Sequence, residues 1–147
     1  MKLITLFTLI LFATSFVYAE SITEELEKSF KSTKTSNLED EAKRLSALGS
    51  LNHQKGDYET ALKYYEKSLS IREKLGEVEN LSYANILFLS AIASHKSGNS
   101  CKALKKMNNV IMVYKVLAPK EKITVAQKEI DTVYQPACDM SLLLSKK

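Results

Sequence analysis

Glycine and proline are scarce in this sequence, with 4 glycines and 2 prolines among 147 residues. Because these two residues are the ones that most often interrupt helices, their scarcity favours long, uninterrupted helices. No run of strict polar and apolar alternation is long enough to predict a β-sheet. We therefore expect an all-α fold.

The sequence also lacks the residue patterns of common catalytic and metal sites. It contains no glycine-rich phosphate loop, no His-x-x-Glu-His pattern and no candidate Ser-His-Asp set. Its two cysteines do not form a Cys-x-x-Cys motif, which disfavours redox catalysis. We therefore predict that the chain is not an enzyme and needs no cofactor.

Charge of one sign does not accumulate along the chain. The net charge is only +4, and the lysines are interleaved with glutamates. This pattern gives no reason to expect a nucleic-acid partner. Beyond the N-terminal segment, the longest apolar run (84–93) is far shorter than the about 20 residues that span a bilayer. We expect no stable membrane insertion by the mature chain.

The first 19 residues have the pattern of a secretory signal peptide. A basic start at Met1-Lys2 precedes an apolar run over 3–17, and Val17 and Ala19 are the small residues of a cleavage site. The alternative is an uncleaved membrane anchor, although the apolar run is short for a bilayer span. The short signal and the Lys-, Asn- and Ser-rich composition predict an exported bacterial protein, periplasmic in a Gram-negative cell or secreted.

The mature sequence contains an internal repeat of 42 residues. Residues 42–83 align without a gap to residues 84–125, and the identical pairs fall on helix-packing positions and on one turn. These pairs are Ala42/Ala84, Leu45/Leu87, His53/His95, Gly56/Gly98, Ala61/Ala103, Leu62/Leu104, Lys63/Lys105, Leu75/Leu117 and Glu79/Glu121. The repeat predicts two similar structural units.

The sequence of each unit predicts a helix, a tight turn and a second helix. In the first unit we expect a leading helix over 38–54, with a capping box at Ser36, and a trailing helix from Asp57 to about residue 75. In the second unit we expect a leading helix over 80–96 and a trailing helix, capped by Asn99, to about residue 117. Apolar residues at helical spacing mark the buried face of each helix.

The flanking segments are interpreted as caps on the repeat. Ser21 opens a capping box for a short helix to about residue 31, followed by a polar link, so 20–37 form an N-terminal cap. Pro119 suits the first turn of a C-terminal helix within 118–147, and Pro136 is expected to kink that helix. Two repeats alone cannot cover both open ends, so the caps supply the cover. The alternative is cover by a partner or by a second copy.

The two units resemble the tetratricopeptide repeat. The first unit matches the order and spacing of its conserved residues at Leu48-Gly49, Gly56-Asp57-Tyr58, Ala61, Tyr65 and Leu69. The 42-residue period is similar to that of the longer variety in kinesin light chains and bacterial Rap-type regulators. The resemblance covers 38–117 and implies an α-solenoid of helical hairpins with two repeats, about 42–83 and 84–125.

Both units depart from the family pattern at several positions. In the first unit Asn52 stands where the family usually has tyrosine, and Ser68 stands where it usually has alanine. In the second unit Ser90-Ala91 replaces Leu-Gly, Ser100 replaces tyrosine and Met107 replaces an aromatic residue. The second unit is therefore a degenerate repeat that is in phase with the first.

The resemblance implies a concave groove, lined by the leading helices, that binds a peptide or protein partner. The implied lining residues are Lys43, Ser46, Ser50, His53, Gln54, Asn85, Phe88, Leu89, Ile92, His95 and Lys96. Phe88, Leu89 and Ile92 would form an apolar patch, which is typical of an interaction site. The alternatives are that these three residues are core, or that the C-terminal segment covers them.

Three hypotheses about the function of the chain follow. The first is an exported protein-interaction module without catalysis, and the second is a structural or oligomeric subunit of a periplasmic or secreted assembly. The third is a metal site at His53 and His95, which share one repeat position, but no nearby Asp, Glu or Cys completes a ligand set. A homo-oligomer is compatible with the first two hypotheses.

The two cysteines are candidates for a disulfide bond. Export to an oxidising compartment makes an even number of cysteines a pairing signal. In the stack that the resemblance implies, successive helices are antiparallel, which brings Cys101, at the start of one helix, towards Cys138, near the end of the next. The alternative is two free thiols.

The nearby lysines Lys102, Lys105 and Lys106 are either a solvated face or a contact for an acidic partner.

Overall fold

The computed structural model describes residues 22–145, which form helices and contain no strand. The predicted signal peptide (1–19) and the predicted cap at Ser21 lie outside the described residues. The chain divides into two compact units, Met1–Lys34 and Thr35–Lys147. In the first unit the described helix, α1, covers 22–32. Its Lys31 ammonium lies 2.6 Å from the Glu27 carboxylate, one helical turn earlier.

The second unit is a run of helices joined by short turns. They are α2 (Leu38–Gln54), α3 (Tyr58–Lys74), α4 (Leu81–Lys96), α5 (Ser100–Leu117), α6 (Lys120–Glu129), a π-helical turn (Ile130–Tyr134) and α7 (Gln135–Leu144). The first four fall within one residue of the bounds that the sequence predicts. The hairpin turns after α2 and α4 contain Gly56 and Gly98, whose φ values of 79° and 82° favour glycine.

Side chains at the helix starts bind the free amides of the first turn. The Asn37 side chain accepts a hydrogen bond from the Asp40 amide, so the cap of α2 lies one residue after the predicted Ser36. Asp57 caps α3 in the same way. Asn99 occupies the predicted N-cap position of α5, but its side chain makes no bond to the start of that helix and donates to the Ser97 carbonyl instead.

The helices pack in the order in which they occur along the chain. The α2–α3 and α4–α5 pairs are hairpins, α3 packs on α4, and α5 packs on α6, the π-helical turn and α7. Alanines that are fully buried, among them Ala42, Ala61, Ala84 and Ala103, allow these helices to approach closely. The predicted fold, an all-α solenoid of helical hairpins that resembles tetratricopeptide repeats, is confirmed.

The tightest contact of the first hairpin lies between Gly49 of α2 and Tyr65 of α3. A Cβ atom at Gly49 would lie 2.6 Å from both Cδ1 and Cε1 of Tyr65. The Tyr65 ring is fully buried, and its hydroxyl donates to the Ser50 hydroxyl at 3.4 Å. Glycine is therefore required here by the space that the ring occupies, because Gly49 itself lies in regular helix.

The departures from the repeat pattern in the first hairpin are satisfied by hydrogen bonds. Ser68, which is fully buried, donates its hydroxyl to the Ala42 carbonyl at 2.7 Å and so joins α3 to α2. Asn52, also buried, donates its side-chain amide to the Leu48 carbonyl at 2.9 Å. A buried polar group with such a partner costs far less than an unsatisfied one.

A lysine joins the two hairpins. The Lys106 ammonium of α5 donates to the Ser90 hydroxyl of α4 at 2.7 Å and to the Glu66 carboxylate of α3 at 3.0 Å. Ser90 is fully buried and needs a partner, which the long lysine side chain supplies from a mostly buried position. Lys106 therefore belongs to the packing between hairpins and not to a solvated face.

The C-terminal segment presents one apolar face to α5. Its buried residues, Ala126, Ile130, Tyr134 and Cys138, recur at every fourth position. In a regular α-helix each such step would rotate the face by about 40°. The π-helical turn of Ile130–Tyr134, in which the Gln135 amide bonds to the carbonyl of Ile130, opposes this rotation.

The π-helical turn also accommodates Pro136. In a regular α-helix the proline ring would clash with the carbonyl four residues earlier, that of Thr132. The wider turn directly before Pro136 relieves this clash, and the chain continues as α7 with the proline in its first turn. The α-helical bonding is thus interrupted where the sequence predicts a kink.

The structure contains the predicted disulfide between Cys101 and Cys138. The two Cα atoms lie 4.6 Å apart, and the bond joins the first turn of α5 to α7 across a separation of 37 residues. Cys138 is the last buried residue of the segment, since Met140 and Leu142–Leu144 are all more than half exposed. The bond is therefore the final attachment of α7 to the hairpins.

We predict that Gly49→Ala lowers the free energy of unfolding by about 1–3 kcal/mol, because the added methyl overlaps the Tyr65 ring. Urea denaturation measures the loss. The control is Gly49→Ala combined with Tyr65→Met, which reproduces the Ala91 and Met107 found at the same positions of the second unit. This double variant should be more stable than the sum of the two single changes predicts. A gain in stability from Gly49→Ala alone contradicts the packing argument.

We predict that Cys101→Ser with Cys138→Ser lowers the free energy of unfolding by about 4 kcal/mol in the loop-entropy model for 37 residues. Dithiothreitol should lower the stability of the parent chain by a similar amount and leave the double variant unchanged. The measurement is urea denaturation with and without the reductant. Dithiothreitol is added to the parent chain both when it is folded and when it is unfolded, so that the reductant can reach the bond. If the free energy of unfolding is unchanged in both cases, the bond does not form.

Candidate functional site

The predicted groove residues of α2 are polar, and several are engaged locally. The Lys43 ammonium lies 2.6 Å from Glu39, one turn earlier, and is solvent-exposed. The Ser46 hydroxyl donates to the carbonyl of Lys43, and Ser50 donates to the carbonyl of Ser46 while it accepts from Tyr65. Gln54, at the end of α2, is exposed and is not drawn into the core.

His53 lies against two aromatic rings of α3. Its imidazole is edge-on to Tyr58, with ring centroids 5.2 Å apart, and is tilted against Tyr65 at 6.2 Å. Burial lowers the pKa of His53 from its ordinary value because the charged imidazolium loses hydration. These contacts assign His53 a packing role at the end of the first hairpin.

The predicted groove residues of α4 divide into polar and apolar contacts. The Asn85 side-chain oxygen accepts a hydrogen bond from the Tyr114 hydroxyl of α5 at 3.1 Å. Leu89 is partly buried against the core, and Ile92 is also partly buried. Lys96, at the end of α4, is exposed. Only part of the predicted apolar patch is therefore accessible.

Phe88 lines an open cleft between three helices. The cleft, of about 240 Å³, is formed by Phe88 of α4, Tyr114 of α5, and Glu121, Lys122 and Val125 of α6. The Lys122 ammonium lies 5.6 Å from the centre of the Tyr114 ring, close enough for a cation–π contact. The cleft is thus apolar at its base, with one ammonium and one carboxylate at its edge.

His95 lies against the C-terminal segment. Its imidazole is edge-on to Tyr134 of the π-helical turn, with ring centroids 5.4 Å apart, and its Nδ1 lies 3.1 Å from the Ser100 hydroxyl. Burial, and secondarily the carboxylate of Glu129, raise the pKa of Tyr134 to about 12. The C-terminal segment therefore covers the His95 end of α4, while the Phe88 end borders the cleft.

The two histidines occupy separate environments and do not form a ligand set. Among residues 22–145, no group of three or more His, Cys, Asp or Glu side chains could hold a metal ion. In the same part of the chain, no helix is long and apolar enough to cross a membrane.

Four residues of the cleft were not predicted as site residues: Tyr114 of α5, and three residues of α6, namely Glu121, Lys122 and Val125. A signal for the three residues of α6 is present in the sequence, since Ala126 follows Ala84 by the same 42 residues that separate Ala84 from Ala42. All three alanines are fully buried. The helix α6 thus stands where a third leading helix would begin, and its neighbouring residues contribute to the groove.

One of three comparisons with known proteins, the comparison with protein families, supports the same architecture. Neither the curated proteins nor the solved structures give a match to this chain. The tetratricopeptide repeat family, whose members are protein–protein interaction modules and generally not catalysts, does match. Its model matches residues 40–111, from the first turn of α2 to the middle of α5, and so supports both hairpins as tetratricopeptide repeats.

Proposed function

We propose that this chain is an exported interaction module that binds a peptide or protein segment beside α2, α4 and α6, without catalysis. The observation that carries the proposal is the cleft formed by Phe88, Tyr114 and Val125. Binding sites are typically concave and apolar, with a few polar groups that fix the orientation of the ligand. The cleft has this composition. It opens beside α4 and α6, whose buried residues Ala84 and Ala126 lie one repeat of 42 residues apart.

The groups around the cleft suit an extended segment with one apolar side chain. That side chain would enter between Phe88 and Val125. The Lys122 ammonium and the Asn85 amide nitrogen, whose oxygen is already held by Tyr114, remain able to bind a neighbouring carbonyl or carboxylate of the partner. Export is proposed from the sequence pattern of residues 1–19 alone.

We predict that Val125→Glu weakens partner binding by about thirtyfold, which corresponds to about 2 kcal/mol for an interface anchor. A carboxylate at the cleft would lose hydration when the apolar group of the partner binds against it, which costs free energy. Val125 is 56% exposed, so the change should leave the fold intact. The partner is first captured from exported extracts of the source organism and identified, and its affinity for each purified variant is then measured by calorimetry.

The matched control is Leu143→Glu, which adds the same charge at a similarly exposed apolar residue of α7. Both variants should melt at the temperature of the parent chain. Retained affinity in Val125→Glu, or an equal loss in the two variants, would contradict binding at the cleft.

A second candidate function is a subunit of a larger assembly. It is favoured by the last turns of α7, where Met140, Leu142, Leu143 and Leu144 are between 52% and 64% exposed. We predict that, if this surface assembles, the mass from sedimentation or light scattering rises with protein concentration, and that Leu143→Glu abolishes the rise. Val125→Glu is the control here. A mass that stays monomeric at all concentrations rules this function out.

A further inference from the structure

The outer face of α5 carries lysines at one end and apolar side chains at the other. Lys102, Lys105, Asn109, Met112 and Val116 follow one another at steps of three and four residues, so they share one face of the helix. We call these five residues the α5 outer stripe. It is about 21 Å long, from the 1.5 Å rise per residue. It lies opposite the buried residues Ala103, Met107, Val110 and Tyr114.

The α5 outer stripe has no negative charge to balance its lysines. The 18 residues of α5 contain four lysines and no Asp or Glu. Lys106 is bound by Glu66 and Ser90, whereas Lys102, Lys105 and Lys115 make no ion pair with any residue in the described part of the chain. By comparison, Lys43 of α2 lies within ion-pair distance of two carboxylates.

The apolar end of the stripe projects into solvent. Met112 is 67% exposed and Val116 is 76% exposed, more than any other large apolar residue of the described chain. Lys115 precedes Val116, and Lys120 begins the next helix. Protruding apolar side chains with lysines beside them suit a partner that yields around them and carries negative charge, such as the boundary region of an anionic bilayer.

We propose that the α5 outer stripe is an adsorption site for an anionic lipid surface. Met112 and Val116 would enter the boundary between headgroups and acyl chains, while the lysines meet the lipid phosphates. A straight stripe on one helix face can touch a flat surface along its whole length. Such adsorption needs no membrane-spanning helix, and it uses a face of α5 other than the one at which Tyr114 borders the cleft.

The charges set the expected size of the effect. Each lysine close to an anionic membrane contributes on the order of fivefold to the partition coefficient. Removing the two lysines of the stripe, Lys102 and Lys105, together with the neighbouring Lys115 is therefore expected to reduce the partition coefficient by about a hundredfold. Without anionic lipid, the two aliphatic side chains alone should bind only weakly.

Three methionines provide a site-resolved test in the predicted mature chain, which begins at Glu20 and so lacks Met1 and the apolar run over 3–17. Met107 is fully buried, while Met112 and Met140 are comparably exposed on different helices. The chain is labelled with ¹³C at its methionine methyl groups and mixed with vesicles that carry a nitroxide-labelled lipid. The vesicles are phosphatidylcholine, alone or with an equal amount of phosphatidylglycerol. Separate methyl signals distinguish contact at α5 from attachment by any other part of the chain.

We expect the Met112 signal to broaden in vesicles with phosphatidylglycerol and not in phosphatidylcholine alone, while Met140 and Met107 change little. Substitution of Lys102, Lys105 and Lys115 by Gln should abolish the broadening. The control substitutes Lys34, Lys74 and Lys128 by Gln, which removes the same charge from exposed positions outside α5. This control should keep most of the effect.

Three results would overturn the proposal. The first is no broadening of Met112, or equal broadening of Met112 and Met140. The second is an equal loss in the two lysine variants, which would assign the attraction to net charge alone. The third is a Met112 response to poly-L-glutamate with none to anionic vesicles, which would assign the stripe to an acidic polypeptide.

Discussion

The contact between Gly49 and Tyr65 is the constraint on which the first hairpin depends. A missing side chain on α2 leaves room for an aromatic ring on α3, and the ring fills the space between the helices completely. Dense packing of this kind makes the separation of the two helices a fixed quantity. The following helix α4 packs on α3, so the position of each later helix is set in relation to this first pair.

The second hairpin meets the same geometric demand with different residues. Ala91 and Met107, at the positions of Gly49 and Tyr65, are both fully buried, and the flexible methionine adapts to the larger residue opposite it. Nearby, Ser90 replaces the leucine of the family pattern and is bound by Lys106. The substitutions that make the second repeat degenerate in sequence are therefore compatible with one another in the packed structure.

The fold was predictable because helical periodicity, caps and the 42-residue repeat all agree, and the helix bounds follow them closely. The disulfide was predicted from stacking order and is present. The site was less predictable. His53 and His95 were chosen by repeat position, but burial depends on Tyr58 and Tyr134, which approach from other helices. The repeat bounds placed Glu121, Lys122 and Val125 in the tail of the second unit, so α6 was not treated as a third leading helix beside Phe88.

The disulfide gives the C-terminal half a second property besides stability. Cys101 and Cys138 close a covalent ring that contains α5, the link at Pro119, α6 and the π-helical turn. A protease that cuts the exposed link between α5 and α6 opens this ring without separating its parts. Both fragments stay on the hairpins, with Ala126 and Tyr134 still in the core. In an environment rich in proteases, the cleft between α4 and α6 would thus outlast a break in the chain that forms it.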